Sequence, residues 1–112
     1  MEECIFCKIA NHQQKTDIVF ENEQIIVFKD MHPQAKVHLL IVPKKHIESI
    51  NYLEEEDREL INQMIFLAKS LAKKQGIAVK GYRLFFNVGR GGGQIIDHLH
   101  LHLMGGGGLS DG

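Results

Sequence analysis

Residues 97–104 read DHLHLHLM: His98, His100 and His102 alternate with Leu99, Leu101 and Leu103. A period of two is the period of a β-strand, whose successive side chains point to opposite faces. As a strand, the run has one leucine face that needs a core and one histidine face. As a helix, the same residues would scatter around the barrel. The alternation therefore predicts a strand and puts three imidazoles in a row, roughly 7 Å between neighbours. A solvated face is better served by Lys, Thr or Glu. Two chemical readings remain, a metal site or an acid–base–nucleophile array.

Imidazole titrates near neutrality, so neutral and protonated forms are both accessible. Clustered imidazoles cannot easily all carry protons, so the group titrates in steps. A neutral ring nitrogen can attack phosphorus and form a covalent intermediate. Its other nitrogen must hold the proton, usually against a carbonyl. The middle residue, His100, is flanked on both sides and is the natural nucleophile. The outer pair lies roughly 13 Å apart at strand rise, and three histidines in one strand row seldom converge on one ion, which leaves a metal-dependent hydrolase as the lesser reading.

The rest of the chain reads as a single α+β domain over 1–104, followed by a flexible glycine-rich tail over 105–112. Strands are predicted at 17–21, 24–30, 37–43, 81–89 and 95–104. The run VHLLIVP (37–43) is apolar enough for a buried central strand, with His38 near its start. One long helix is predicted over 53–75. Acidic residues crowd its start, Lys69, Lys73 and Lys74 its end, and Gly76 stops it. Its buried stripe is Leu60, Met64, Leu67, Ala68 and Leu71, flanked by Ile61 and Ile65. One sheet face takes this helix, which leaves the histidine face for another purpose. The loop GRGGGQ (89–94) is glycine-rich enough to bring backbone N–H groups close to an anion. It is no P-loop, because the Lys-Ser/Thr ending and the following helix are missing.

Composition narrows the function. At 112 residues and a formal charge of −1, the chain gives no general reason to expect nucleic acid or an acidic membrane as partner. No apolar run reaches membrane-span length, and the acidic MEECIFCKIA is not a secretory signal, so the expected location is cytoplasmic. There, Cys4 and Cys7 are thiols or metal ligands rather than a disulfide. Their C-x2-C spacing is half a structural zinc site, with His46 a candidate third ligand. Two ordinary reduced cysteines is the other reading. His12 and His32 read as surface residues.

Taken together, CIFCKI, FKDMHPQAKVHLLIVPKKH, GYRLFFNVGRGGGQ and HLHLHLMGG span nearly the whole chain and resemble the histidine-triad (HIT) family. The run DHLHLHLM matches its signature of three histidines alternating with apolar residues. Gly-Gly after HLM favours the nucleotide-binding phosphoramidase branch over the dinucleoside polyphosphate branch. The resemblance implies a mainly antiparallel five-stranded sheet with one long helix, the sheets joining across a homodimer. It implies a purine nucleotide substrate of the AMP type and hydrolysis of nucleoside 5′-phosphoramidates, with no cofactor needed for catalysis. His100 would be the nucleophile; His102, His98 and His38 would support it. Asp30 would hold the ribose hydroxyls. Asn87, Gly93 and Gln94 would surround the α-phosphate, and Ile5, Phe6, Ile9, Phe28, Met31 and Leu40 the base. A structural zinc would sit on Cys4, Cys7, His46 and His98. Ile95 stands where many members carry Ser, and Ile cannot donate that residue's hydrogen bond. Dinucleoside polyphosphate hydrolysis or nucleotidyl transfer, and a non-catalytic purine nucleotide-binding module, are the alternatives.

Overall fold

Asn22 makes the first turn. Its side-chain oxygen accepts the N–H groups of Gln24 and Ile25 at 2.9 and 2.8 Å, the Asx-turn chemistry that reverses a chain. The strands on either side, β1 (Ile18–Glu21) and β2 (Ile25–Lys29), pair antiparallel. The computed structural model describes residues 4–107. A short helix, α1 (Ile5–Ala10), precedes β1, and β3 (Val37–Pro43) follows β2. Next come α2 (Arg58–Lys74), β4 (Tyr82–Phe85) and β5 (Leu101–Gly105). The strands form one sheet in the order β1-β2-β3-β5-β4, every pair antiparallel. As the apolar run foretold, β3 lies in the middle.

Side-chain alternation on β3 and β5 splits the interior. Leu39, Ile41, Leu101 and Leu103 join Ile25 and Val27 against Leu60, Met64, Ala68 and Leu71 of α2. On the other face, Leu40 and Val42 join Ile26 and Phe28 against Phe6, Ile9 and Ala10 of α1. His38 and His102 stand on that second face, where α1 leaves the sheet uncovered. No helix among the described residues is long and apolar enough to cross a membrane.

Several boundaries differ from the sequence reading. The helix predicted over 53–75 begins only at Arg58, behind 3-10 turns at Ile50–Tyr52 and Glu55–Asp57. The acidic residues credited to its first turn build a capping box instead: the Glu54 N–H donates to Asp57 Oδ2 at 2.8 Å. Gly76 stops the helix with φ +76, as expected. The strand predicted over 81–89 is only Tyr82–Phe85. The strand predicted over 95–104 is only Leu101–Gly105, so His98 and His100 lie outside the ladder. Gly105, assigned to the tail, closes β5. A side chain there would meet Ile77 Cδ1 at 2.8 Å. Residues 108–112 of the expected tail lie outside the described residues. The sequence reading did not include α1. Its signals are Cys4 as N-cap, accepting the Cys7 N–H, and an apolar 6, 9, 10 spacing.

Asp57 ties β3's end to α2. Lys45 Nζ lies 2.7 Å from Asp57 Oδ1, and the Asp57 side chain is buried. The Lys45 ammonium, then the Glu54 N–H, hold this carboxyl below the usual aspartate range. A lowered folded-state pKa contributes stability that is present above the unfolded value and lost as pH falls through the folded one. Asp57→Asn is therefore expected to be less stable at pH 7 and to lose less than the native chain between pH 7 and pH 3. Urea midpoints at the two pH values check this, and parallel losses would contradict it.

Candidate functional site

Backbone groups dictate the protonation of each histidine here. The Gln34 N–H points at His38 Nδ1 from 3.1 Å, so that nitrogen must be the acceptor. Neutral His38 then carries its proton on Nε2, which lies 3.0 Å from His102 Nδ1 and 3.4 Å from Asp30 Oδ2. His102 therefore accepts at Nδ1 and holds its own proton on Nε2. That N–H is buried and has no partner among the described residues. The His102 ring stacks on Phe85, with centroids 4.5 Å apart and planes 6° from parallel. His100 follows a different rule. Its Nδ1–H donates to the His98 carbonyl at 2.7 Å, which leaves Nε2 with a bare lone pair.

All three rings are neutral at pH 7. Burial lowers the pKa of His38 and His100, and Asp30 and the His98 carbonyl only partly oppose it. Burial, then His100 and His38, pushes His102 down to about 4. His102 is thus a neutral hydrogen-bond donor rather than an acid.

These rings face a cavity of about 460 Å³. Ile5, Phe6, Ile9, Phe28, Met31 and Leu40 form its apolar wall, and Asp30, Asn87 and Gly93 also line it. Asp30 Oδ1 accepts the His32 N–H at 2.8 Å. Gly93 adopts φ +91, a left-handed conformation suited to glycine, and the Asn87 amide packs over it. The loop before it is no open anion cradle. The N–H groups of Gly89, Gly92, Gly93 and Gln94 all donate inside the loop.

His98 turns the other way. Its Nε2–H donates to the Pro43 carbonyl at 2.8 Å, which bares Nδ1 toward Cys4 Sγ at 3.3 Å, Cys7 Sγ at 3.6 Å and His46 Nδ1 at 3.2 Å. Cys7 Sγ is also 3.2 Å from His46 Nδ1. A tetrahedral zinc with ordinary Zn–N and Zn–S bonds holds its donor atoms about 3.3–3.8 Å apart. These separations fit that geometry. So does the outward hydrogen bond from His98, the usual support for a metal-binding imidazole. Without an ion, burial and the neighbouring Cys4 thiol push Cys7 up to about 11, so metal uptake would displace thiol protons. Asp30, His38 and His102 also lie close enough to share an ion. There the Gln34 N–H forces the His38 proton onto the inward nitrogen, and the group is a hydrogen-bond chain.

Residues 3–109 match the family model described as "Scavenger mRNA decapping enzyme C-term binding". The chain is 41% identical to the purine nucleoside phosphoramidase of Escherichia coli K12, covering 94% of this chain and 88% of that protein. A HIT family hydrolase of Legionella pneumophila is 50% identical and superimposes with a TM-score of 0.91 over 93% of both chains. The histidine-triad protein of Clostridium difficile, 34% identical, reaches 0.94 over 99% of this chain and 96% of its own. The chain belongs to the histidine-triad family. Its HIT motif is divided between two sites, with His100 and His102 in the cavity and His98 among the cysteines.

One residue assigned to the phosphate does not reach the cavity. Gln94 is 3% exposed, and its amide is fully engaged. Nε2 donates to the Glu48 and Ile96 carbonyls at 2.7 and 2.9 Å, and Oε1 accepts the Gly89 N–H at 2.9 Å. Ile95 stands at the cavity mouth, 79% exposed. Sequence reasoning passed over Gln34, which acts through its backbone and carries no side-chain signal. It also missed Phe85, whose place opposite His102 depends on strand register. Arg90 went unnoticed too. It pairs with both Asp97 oxygens and donates to the Gln94 carbonyl, and opposite charges seven apart were the signal.

Proposed function

We propose that this HIT protein is a nucleoside 5′-phosphoramidate hydrolase working through a nucleotidyl intermediate on His100. The observation that carries the reading is the His100 ring: Nδ1–H held by the His98 carbonyl, Nε2 bare, beside a nucleotide-sized cavity. His100 Nε2 attacks phosphorus and forms an N–P bond as the bond to the amine breaks. The departing nitrogen takes up one proton from solvent, and the water that attacks in the second step returns one. Water then cleaves the nucleotidyl-histidine, giving the nucleoside monophosphate and restoring neutral His100. The His102 Nε2–H donates to a phosphoryl oxygen as charge builds there, and His38 fixes the tautomer that makes this possible. Asp30 takes the ribose hydroxyls, Asn87 and Gly93 border the α-phosphate, and the apolar wall takes the purine. The named activity of the Escherichia coli relative supports the same bond class. Cys4, Cys7, His46 and His98 would hold a structural zinc, which when bound supplies cross-linking of the N-terminal segment to the sheet. A second copy would join at β4, which ends the sheet.

The test is AMP release from adenosine 5′-phosphoramidate, with mass spectrometry of acid-quenched and base-quenched enzyme. Stoichiometric AMP and amine are expected, with a transient adenylyl group on the peptide that carries His100. A folded protein that binds AMP but releases none from any phosphoramidate would be a binding module. Faster turnover of a dinucleoside polyphosphate would reassign the substrate.

A further inference from the structure

We infer that the Cys4–Cys7–His46–His98 centre orients the His100 imidazole through the peptide carbonyl of His98, so that metal occupancy sets how Nε2 is presented to the cavity. The inference rests on the proposed zinc centre and on His100 as nucleophile.

The carbonyl that holds His100 belongs to a stretch outside the sheet, since β5 begins at Leu101. No strand ladder fixes that peptide. Its carbonyl carbon belongs to His98, whose ring is fully buried and clamped between the Pro43 carbonyl and the cysteine–histidine cluster. Its N–H, from Leu99, donates to the Ile47 carbonyl at 2.6 Å. Ile47 is the chain neighbour of His46. Both anchors of the peptide are thus one residue or less from a donor of the centre. A metal that draws His46 and His98 together also seats the peptide between them. The third line of attachment is α1. Its N-cap is Cys4, and its Phe6 stands edge-on to His98 and His100, with centroids 5.9 and 5.1 Å away.

The coupling is graded, not all-or-none. Gln94 stitches the same two segments by donating to the Glu48 and Ile96 carbonyls, which keeps the fold together when the centre is empty. Loss of the metal therefore frees the carbonyl to tilt and lets His100 sample the wrong tautomer. Partners that orient an imidazole at a metal site are typically worth about 10–100-fold in metal affinity or activity, and an effect of that size is expected on His100.

The experiment uses the full chain, loaded with one zinc, stripped by chelator and reloaded, with Cys7→Ser and Cys7→His beside it. Imidazole proton–nitrogen spectra, with His100 assigned from His100→Gln, report its tautomer independently of turnover. Zinc-loaded protein is expected to show His100 wholly protonated on Nδ1. Stripped protein and Cys7→Ser should show a tautomer mixture and a kcat about 10–100-fold lower, with KM within about threefold. Cys7→His, with four donors restored, should regain both on zinc addition. Should Cys7→Ser fail to fold, the strip-and-reload series on the native chain reads the same quantities. An unchanged tautomer and kcat after zinc has left would overturn the inference, as would a chain that takes up no zinc. A metal-dependent tautomer without AMP release would support the coupling and sink the hydrolase reading alone.

Discussion

His100→Ala is expected to lose roughly 10⁴-fold or more of its turnover of adenosine 5′-phosphoramidate, while its AMP affinity changes by only a few-fold. The asymmetry follows from what the ring supplies. His100 is 8% exposed, so it offers bound nucleotide little contact area; it offers the reacting phosphorus one lone pair. In the proposed mechanism binding would rest on the apolar wall, Asp30 and the His102 donor, all left in place. No neighbouring group can replace the lone pair. His38 Nδ1 is occupied by the Gln34 N–H, and His102 Nδ1 by His38. His100→Gln, closer in volume, should behave alike and guards against an effect of the cavity left by alanine. The checks are kcat and KM with the phosphoramidate, and calorimetric binding of AMP. Turnover near the native rate in either variant would remove His100 from the mechanism.

Gln94→Ala is expected to lower stability by about 2 kcal/mol, because it removes a buried amide and its three part-buried hydrogen bonds, each worth about 0.5–1.5 kcal/mol net. Gln94→Glu should be no milder, although it keeps the shape. It would aim a carboxylate oxygen at the Glu48 and Ile96 carbonyls, where two donor hydrogens now sit. A residue that bound phosphate would respond differently, with unchanged unfolding and a raised KM. Urea denaturation together with steady-state kinetics separates the two. A Gln94→Glu protein of native stability would return the residue to the substrate.

The histidine alternation in the sequence was sound for part of its length. Leu101 and Leu103 are buried against α2, and His102 faces the opposite side, as a period of two demands. The period continues through His98 and His100 after the ladder has stopped. An alternating pattern records which way side chains point, and an extended segment outside the sheet alternates as well as one inside it. Strand length was therefore overstated, and with it the idea of one row of three imidazoles. The helix start was misplaced for a related reason. Glu54 and Asp57 suit a helix N-terminus in composition, but they serve as a cap before it, and only the reciprocal hydrogen bond distinguishes the two. The apolar wall was legible because the HIT resemblance placed its residues one by one. Gln94 was misread by the same route. Its neighbours line the cavity, and which way an amide turns depends on carbonyls at positions 48 and 96 that no local pattern connects.

The protonation pattern of the cavity bears on how the product leaves. Among the described lining residues there is no lysine or arginine, and His38, His100 and His102 are uncharged at neutral pH. A phosphate dianion bound there meets dipoles rather than fixed positive charge, with the Asp30 carboxylate close by. On the proposed reaction, Coulomb attraction from these residues would contribute little to holding a nucleoside monophosphate, and its affinity would depend little on ionic strength. Donors matched to charge that builds during bond breaking assist the transition state without deepening the ground-state well. On the proposed reaction, these residues would release the monophosphate readily.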